Sequence, residues 1–232
     1  MPFVSATKSR VFAGTLSASC YARGFSLSSA VDMLDVSTLC DDAKTYITGQ
    51  ESSTASFELI HDAAQAAHAA TWATAGDIPV TYLPGGAAVG DAAFLIDSIR
   101  TDYSTTSSVT GTVDASITAT TTGDTGYGVC IAASAAITVD TTGSAVDNGA
   151  SSANGAVAHL HVTAFTGLTS NAIRIEHSTN NSTWTTLASF TSVTAATSQR
   201  LEIAGTINRY VRVVDDVTGT GSCTRLVAFA RR

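Results

Sequence analysis

Hydrophobic and polar residues alternate along most of this chain with a period of two, a pattern that predicts β-strands. Short runs of Gly, Ser, Thr, Asn and Asp separate these stretches and predict turns and loops. In the first half the predicted strands cover 11–19, 25–31, 54–60, 78–83, 92–103, 107–121, 129–133 and 135–139. The stretch 33–53, which is rich in Asp, Ser and Thr, is predicted to be a connecting loop that ends near Gly49.

Residues 61–75 (HDAAQAAHAATWATA) depart from the alternating pattern. Alanine, the best helix former, dominates this run, and Gly76 follows as a stop signal, so we predict one helix here. Residues 140–155 are rich in Gly, Ser, Asn and Asp and predict a loop or a linker. Beyond them, short strands at regular intervals over 156–163, 172–177, 185–190, 199–203, 210–214 and 224–230 predict a β-sandwich or jelly roll.

These patterns predict a mainly β protein with two domains. An N-terminal arm (1–10) precedes a first domain (11–139), and a linker (140–155) leads to a second domain (156–232) with the β-sandwich or jelly-roll pattern. The arm is short and polar, and we expect it to be ordered only against a neighbour.

The chain carries few charges for its size. Charged residues make up 13% of its 232 residues, about half the usual share. Its polar surface must therefore be mostly Ser, Thr and Gly, and a surface of this kind is often covered by other subunits. A Thr-rich secreted β-protein is the alternative interpretation. The net charge of −7 argues against ordinary nucleic-acid binding, although an acidic wall would let DNA pass without sticking.

The cysteines give no sign of a metal site, since Cys20, Cys40, Cys130 and Cys223 form no CxxC pair. We expect buried free thiols in a reducing cytosol, and a Cys20–Cys40 disulfide stays an alternative. The first ten residues lack the apolar core of a signal peptide, and no run approaches the ~20 apolar residues of a membrane helix. We therefore expect a soluble protein that is made in a cytoplasm and has no membrane partner.

No combination of residues indicates catalysis. His159 and His161 share one face of a strand and could bind a metal, but no third ligand lies near them in the sequence, and His61 and His68 are two helical turns apart. The glycines of 123–128 lie between two strands, which favours a hairpin turn over a nucleotide loop. The Asp-Thr-Gly at 124–126 has no proper second copy, and no G-x-S-x-G elbow occurs. We predict a protein that is not an enzyme and holds no cofactor or metal.

The segment 25–58, FSLSSAVDMLDVSTLCDDAKTYITGQESSTASFE, resembles the opening of major tail tube proteins from long, flexible-tailed bacteriophages. The resemblance covers roughly residues 10–120. It implies the family fold of two packed antiparallel sheets with one flanking α-helix, and the predicted helix at 61–75 fits that count. The stretch IRIEHSTNNSTWTTLASF, with INRYVRVV after it, is similar to sandwich domains appended to tail proteins and to discoidin-type jelly rolls. The resemblance implies that Trp184 and the strand 209–212 pack in the core of this domain and at its rim.

The resemblance also implies a mechanical function. In this family six subunits form a ring whose strands make a continuous inner β-barrel, and the rings stack into a tube through which the genome is ejected. The resemblance implies a virion protein that is assembled in the host cytoplasm. Its expected partners are other copies of itself, a tape measure protein in the lumen, tail tip and tail terminator proteins, and passing DNA that is not specifically bound.

Two sets of residues follow from the resemblance. Contacts between subunits or rings are expected from the arm and from the 33–53 loop, at Phe3, Val4, Asp35, Asp41, Asp42, Lys44 and Tyr46. Acidic residues expected to line the lumen are Asp32, Glu51 and Glu58. The alternative function is a carbohydrate- or cell-surface-binding module. Its candidate rings are the aromatic residues of the second domain, Phe165, Trp184, Phe190, Tyr210 and Phe229.

Overall fold

A computed structural model describes residues 5–61 and 77–232, and these are almost entirely antiparallel β-structure. The strands, in chain order, are β1 (Arg10–Ala13), β2 (Leu16–Ser17), β3 (Ala22–Asp35), β4 (Tyr46–Ile60), β5 (Ile78–Leu83), β6 (Ala92–Thr106), β7 (Asp114–Thr121), β8 (Gly126–Ile137), β9 (Thr141–Thr142), β10 (Val146–Asp147), β11 (Ala156–Ser178), β12 (Thr185–Ser189), β13 (Thr197–Ile203) and β14 (Tyr210–Arg231). Single 3₁₀ turns cover Ala6–Lys8 and Ala18–Cys20. The prediction of a mainly β, antiparallel protein is confirmed.

The described residues form two compact units. The first contains the described residues up to Cys20, together with Ile78–Ile96 and Gly126–Arg232. The second contains the described residues of Tyr21–Asp77 and Asp97–Thr125. Strand β6 therefore contributes its first residues to one unit and its remaining residues to the other.

Two long strands organise the first unit. β11 and β14 pair antiparallel along almost their full lengths, from Ala156↔Arg231 to Ser178↔Tyr210. β13 pairs with the first half of β11 and β12 with the second half, while β8, β9 and β10 pair with β14. The β11–β14 register shifts near Gly167 (φ +75°) and Gly219 (φ +100°), a backbone conformation that glycine adopts at no steric cost.

Apolar residues from these strands pack into a common core with Ile207, which lies between β13 and β14. The buried strand residues of this core include Ile131, Leu160, Ile175, Val213 and Phe229. The same unit also buries an ion pair. The Asp215 carboxylate accepts hydrogen bonds from the Arg225 guanidinium, with Nη2 at 2.5 Å from Oδ2, and from Asn171 Nδ2 at 3.0 Å from Oδ1. A buried carboxylate of this kind needs both a cationic partner and hydrogen bonds, because it has lost its water.

The structure groups the chain differently from the predicted domains. β8, from the end of the predicted first domain, pairs with β14 from the end of the predicted second domain. The predicted linker 140–155 contains β9 and β10, and both pair with β14. Small polar residues at the margin of a sheet have the same composition as a linker, so the local pattern does not show pairing with a strand some 70 residues away in sequence.

Several strands are longer or shorter than predicted. The segments 156–163 and 172–177 belong to one strand, β11, and 210–214 and 224–230 belong to β14. The stretches 129–133 and 135–139 likewise merge into β8, whereas the predicted strand 107–121 begins only at Asp114. The predicted strand 11–19 is a short β1–β2 pair.

The predicted helix lies, except for His61, outside the described residues. Within the described ranges no helix is long and apolar enough to cross a bilayer.

Candidate assembly surface

The sheet of the second unit has one apolar face. Its strands lie in the order β3-β4-β7-β6, and every neighbouring pair is antiparallel. Because side chains alternate along a strand, β4 and β7 direct their apolar residues to the same side. The buried members of this face are Ala55, Phe57, Leu59, Ala115, Ile117 and Ala119. Phe25 of β3 lies opposite Phe57 with the ring centroids 5.0 Å apart.

The opposite face of this sheet is polar and acidic. It carries serines and threonines such as Ser56, Thr118 and Thr120, together with the carboxylates of Glu58 and Asp102. At its margin Arg23 pairs with Asp114, with Nη1 at 3.3 Å from Oδ1. Its large apolar side chains among the described residues are Ile60 and Ile99, both partly exposed. This face is therefore hydrophilic, and its carboxylates lie apart from one another.

β3 and β4 continue beyond the sheet as a projecting hairpin. Their pairing extends to Asp35↔Tyr46, and every residue from 28 to 48 is exposed. We call residues 28–48 the hairpin arm. Its large apolar side chains are exposed as well: Val31, Met33, Leu34, Val36, Leu39, Tyr46 and Ile47. Met33 is 60% exposed and Leu39 is fully exposed. An exposed apolar patch of this kind indicates a binding surface.

The prediction of a loop over 33–53 is therefore wrong for most of that stretch. Residues 33–35 and 46–53 belong to β3 and β4, and only 36–45 connect them. The many Asp, Ser and Thr residues indicated a loop, but both faces of an exposed hairpin can be polar, so composition does not distinguish the two.

The tip of the hairpin arm is held by its own hydrogen bonds. Asp41 Oδ2 accepts from the Thr38 backbone N–H at 2.6 Å, and Asp35 Oδ1 accepts from the Ser37 N–H at 2.9 Å. Ser37 Oγ accepts from the Thr45 N–H at 2.8 Å. The backbone hydrogen bond from Thr38 lowers the pKa of Asp41, and hydrogen bonds from Ser37, assisted by Lys44, lower the pKa of Asp35. The tip thus presents Leu39 on a turn of defined shape.

The structure brings together five of the residues predicted to make contacts. Asp35, Asp41, Asp42, Lys44 and Tyr46 all lie at or near the tip of the hairpin arm. Phe3 and Val4 lie outside the described residues. The other large apolar side chains of the arm were not predicted as contacts, although the alternation in VDMLDV and TYITG was a signal for strands: Val31, Met33, Leu34, Val36, Leu39 and Ile47.

The structure does not bring the three predicted lumen residues together. Glu51 and Glu58 are seven residues apart along a stretch of β4 without register shifts, so they lie on opposite faces. Glu51 Oε1 accepts a hydrogen bond from Ser29 Oγ at 2.6 Å. Asp32 lies at the register shift between Val31 and Met33, beside Gly49. Glu58 is on the polar face, where it is joined by Asp102, which was not predicted.

The candidate rings for carbohydrate binding are covered. Phe229 and Phe190 are buried, and Phe165 is half-buried against the core. The guanidinium of Arg212 lies 4.0 Å from the Trp184 ring centroid and is held there by Glu176, while Arg209 covers Tyr210 at 4.9 Å. Trp184 and the strand at 209–212 therefore pack at the rim of the unit, and a sugar would have to displace both arginines to reach the rings.

The cysteines divide into two pairs. Cys130 and Cys223 are buried, and burial raises the pKa of the Cys130 thiol to about 12 and that of Cys223 above its usual value. Cys20 and Cys40 are exposed free thiols, which differs from the expectation that all four are buried. No group of three or more His, Cys, Asp or Glu side chains within the described ranges could hold a metal ion.

No protein-family model and no curated protein matches this sequence. Solved structures align at low identity. A chain in the virion of a native gene transfer agent particle shares 14% identity at a TM-score of 0.37, covering 46% of this chain and 84% of its own length. The SPP1 tail tube shares 11% at 0.43, covering 52% and 76%. SPP1 Dit (gp 19.1), a protein of the hub adsorption apparatus in phages that infect Gram-positive hosts, shares 8% identity at a TM-score of 0.38, covering 96% of this chain and 98% of its own length.

Proposed function

We propose that this protein is a structural virion subunit of a long, flexible-tailed bacteriophage, which assembles with copies of itself into stacked hexameric rings that form the tail tube. The observation that carries the proposal is the hairpin arm, whose seven large apolar side chains are exposed. Covering them contributes on the order of 1 kcal/mol each, since each is roughly half-exposed or more. The arm binds a neighbouring copy in the same ring or in the next one.

The second unit suits ring formation, because its sheet can be extended by a simple rotation. Three successive antiparallel pairings make the outer strands β3 and β6 antiparallel to each other. A copy rotated about a common axis therefore places its β3 beside β6 of the preceding copy as a further antiparallel pair. Six copies of four strands make a barrel of about 24 strands, more than the 16–18 of porins that enclose a water-filled channel. Closure leaves no free sheet edge.

The polar face of this sheet suits the lumen of such a tube. Glu58 and Asp102 lie among serines and threonines there, and carboxylates repel the phosphates of passing DNA. The tape measure protein occupies this lumen during assembly in the host cytoplasm, and tail tip and terminator proteins bind the two ends. The proposal includes the family fold of packed antiparallel sheets. The protein has no catalytic role and needs no cofactor.

Negative-stain electron microscopy tests the proposal on the whole protein. We expect concentrated wild-type protein to form hollow tubes or stacked rings. The double substitution M33D/L34D places a charge on each face of the hairpin arm, and we expect folded, dispersed monomers. The control V139D changes a valine that is 66% exposed outside the arm, and we expect tubes. Tubes formed by M33D/L34D would show that the arm is not the contact, and wild-type monomers at every concentration would contradict unaided self-assembly.

A further inference from the structure

Two completely buried histidines in the first unit are connected through a single hydroxyl. His159 and His161 of β11 are both 0% exposed. The Thr81 Oγ1 of β5 lies 3.2 Å from His159 Nδ1 and 2.8 Å from His161 Nε2. His161 Nδ1 lies 2.8 Å from the carbonyl oxygen of Gly14, directly after β1. These three contacts tie β11 to both β1 and β5.

All three contacts can be made while both rings are neutral. The Gly14 carbonyl can only accept, so His161 Nδ1 carries a proton and its Nε2 must accept from the Thr81 hydroxyl. Thr81 Oγ1 then accepts from His159 Nδ1–H. A proton on His161 Nε2 would turn the Thr81 hydroxyl towards His159 Nδ1 and would leave the proton of the His159 ring on its buried Nε2. His159 Nε2 is buried and has no hydrogen-bond partner among the described residues. Burial, which lowers the pKa of His159, outweighs the Val80 backbone, which raises it.

The side chains around His159 and His161 do not neutralise a positive charge on either imidazole. The charged or titratable side chains of the described residues on this side of β11 are Arg200 and Glu202 of β13, Arg10 at the start of β1, and Cys130 of β8. Arg200, opposite His159, has the same sign as an imidazolium, and Glu202 is already bound to it at 2.9 Å. β2, β5 and β14 present uncharged side chains such as Leu16, Thr81, Leu226 and Ala228.

We propose that the His159–Thr81–His161 chain is a proton-operated lock, which fastens β11 to β1 and β5 while both imidazoles are neutral and releases β1 and β5 when either imidazole takes up a proton. The lock does not depend on the proposed tail function, because it acts within one unit of one chain. No covalent bond changes, and the only reactant is a proton from the medium.

The direction of the pH dependence follows from linkage. Burial lowers the pKa of His161 from 6.5 to about 4 and that of His159 well below its usual value. We call the state with β1 and β5 fastened to β11 the closed form, and the state without these contacts the released form. Histidines in the released form bind protons that they do not bind in the closed form. The closed form is therefore fully favoured above about pH 6.5, and it loses stability as the pH falls towards 4. At pH 5 the released form gains about thirtyfold from His161 alone, relative to pH 8.

Hydrogen exchange measured by mass spectrometry on the whole protein tests the lock. We expect amides of 10–14 and 78–83 to lose about thirtyfold or more in protection between pH 8 and pH 5, after correction for intrinsic exchange. The double variant H159N/H161N cannot titrate in this range and is expected to lose much less. The control H177N changes a half-buried histidine bound to the Asn208 backbone N–H, and we expect wild-type behaviour.

Equal losses of protection in wild type and H159N/H161N would overturn the proposal, and so would wild-type protection that stays constant down to pH 5. If the double variant does not fold, histidine ring resonances in the wild type decide the question. Two rings that stay neutral below pH 6 and take up protons together with the release of 10–14 support the lock. Two rings that titrate near pH 6.5 while this segment remains protected contradict it.

Discussion

At the scale of single residues, close backbone approaches decide which positions must be glycine. Gly149 and Gly155 have almost the same left-handed backbone, with φ of +79° and +78°. A Cβ on Gly155 would lie 2.3 Å from the carbonyl oxygen of Ile203, whereas a Cβ on Gly149 would meet nothing within 4 Å. The two positions therefore separate the cost of the backbone conformation from the cost of a steric clash.

We expect G149A to lower the free energy of unfolding by about 1 kcal/mol, the cost of a left-handed alanine. G155A carries the same cost and must also displace the Ile203 backbone, which adds about 1–3 kcal/mol. Urea denaturation of both variants measures the difference. Equal decreases in the free energy of unfolding for the two variants would show that the Ile203 backbone moves away from residue 155 at no energetic cost.

The buried residues illustrate what the sequence could not reveal. The sequence VVDDVTG offers two adjacent aspartates, and only the structure shows that Asp215 is buried against Arg225 while Asp216 is exposed. Likewise, His159 and His161 were recognised as a pair on one strand face. Their partner Thr81 comes from β5 and is separated from them by some 80 residues, so no local pattern could identify it.

At the scale of elements, strands bounded by clear turn signals were predicted well. The strand 78–83 ends at the Pro84-Gly85-Gly86 turn and has the predicted bounds. The long strands β11 and β14 were each divided in two, because the polar, glycine-containing stretches at their register shifts have the composition of turns. The hairpin arm was predicted as a loop for a similar reason. The contacts that the tail-tube resemblance implies for this segment stay a prediction.

We expect that the tip of the hairpin arm is needed for assembly and not for folding. Asp35 and Tyr46 are the last paired residues, so an Asn-Gly turn can replace residues 36–45. Because the replaced residues are all exposed, the free energy of unfolding should change by less than about 1 kcal/mol. Sedimentation should then detect only monomers.

The second hairpin of the same unit supplies a matched control. Thr106 and Asp114 are its last paired residues, and an Asn-Gly turn in place of 107–113 removes Val109, which is fully exposed as well. We expect this variant to assemble. Assembly by the variant that lacks 36–45 would exclude the arm tip as a contact.

At the scale of the whole molecule, the antiparallel β-class was predictable because alternation extends through most of the chain, whereas the division into two units was not. Each unit is built from separate stretches of chain, and a local pattern carries no information about which distant strands pair.

The net charge of −7 is also a property of the whole molecule. It affects assembly because like-charged copies repel each other.

We expect added salt to promote assembly. Raising the NaCl concentration from about 0.01 M to about 0.15 M shortens the screening length from about 30 Å to about 8 Å. The concentration at which tubes appear should fall severalfold, and pelleting assays at both salt concentrations measure it. The variant that lacks 36–45 is expected to stay in the supernatant at both. A threshold that rises with salt would mean that ion pairs between subunits outweigh the repulsion.

The position of β14 also determines when the first unit can be completed on the ribosome. β14 pairs with β8, β9, β10 and β11, all of which precede it in the chain. A ribosome needs roughly 5–20 s to add the residues between the end of β8 and the end of β14. During that interval the nascent strands lack their central neighbour and expose apolar edges. A polypeptide interrupted before residue 210 would therefore be a substrate for chaperones and proteases and would not accumulate as a partly folded subunit.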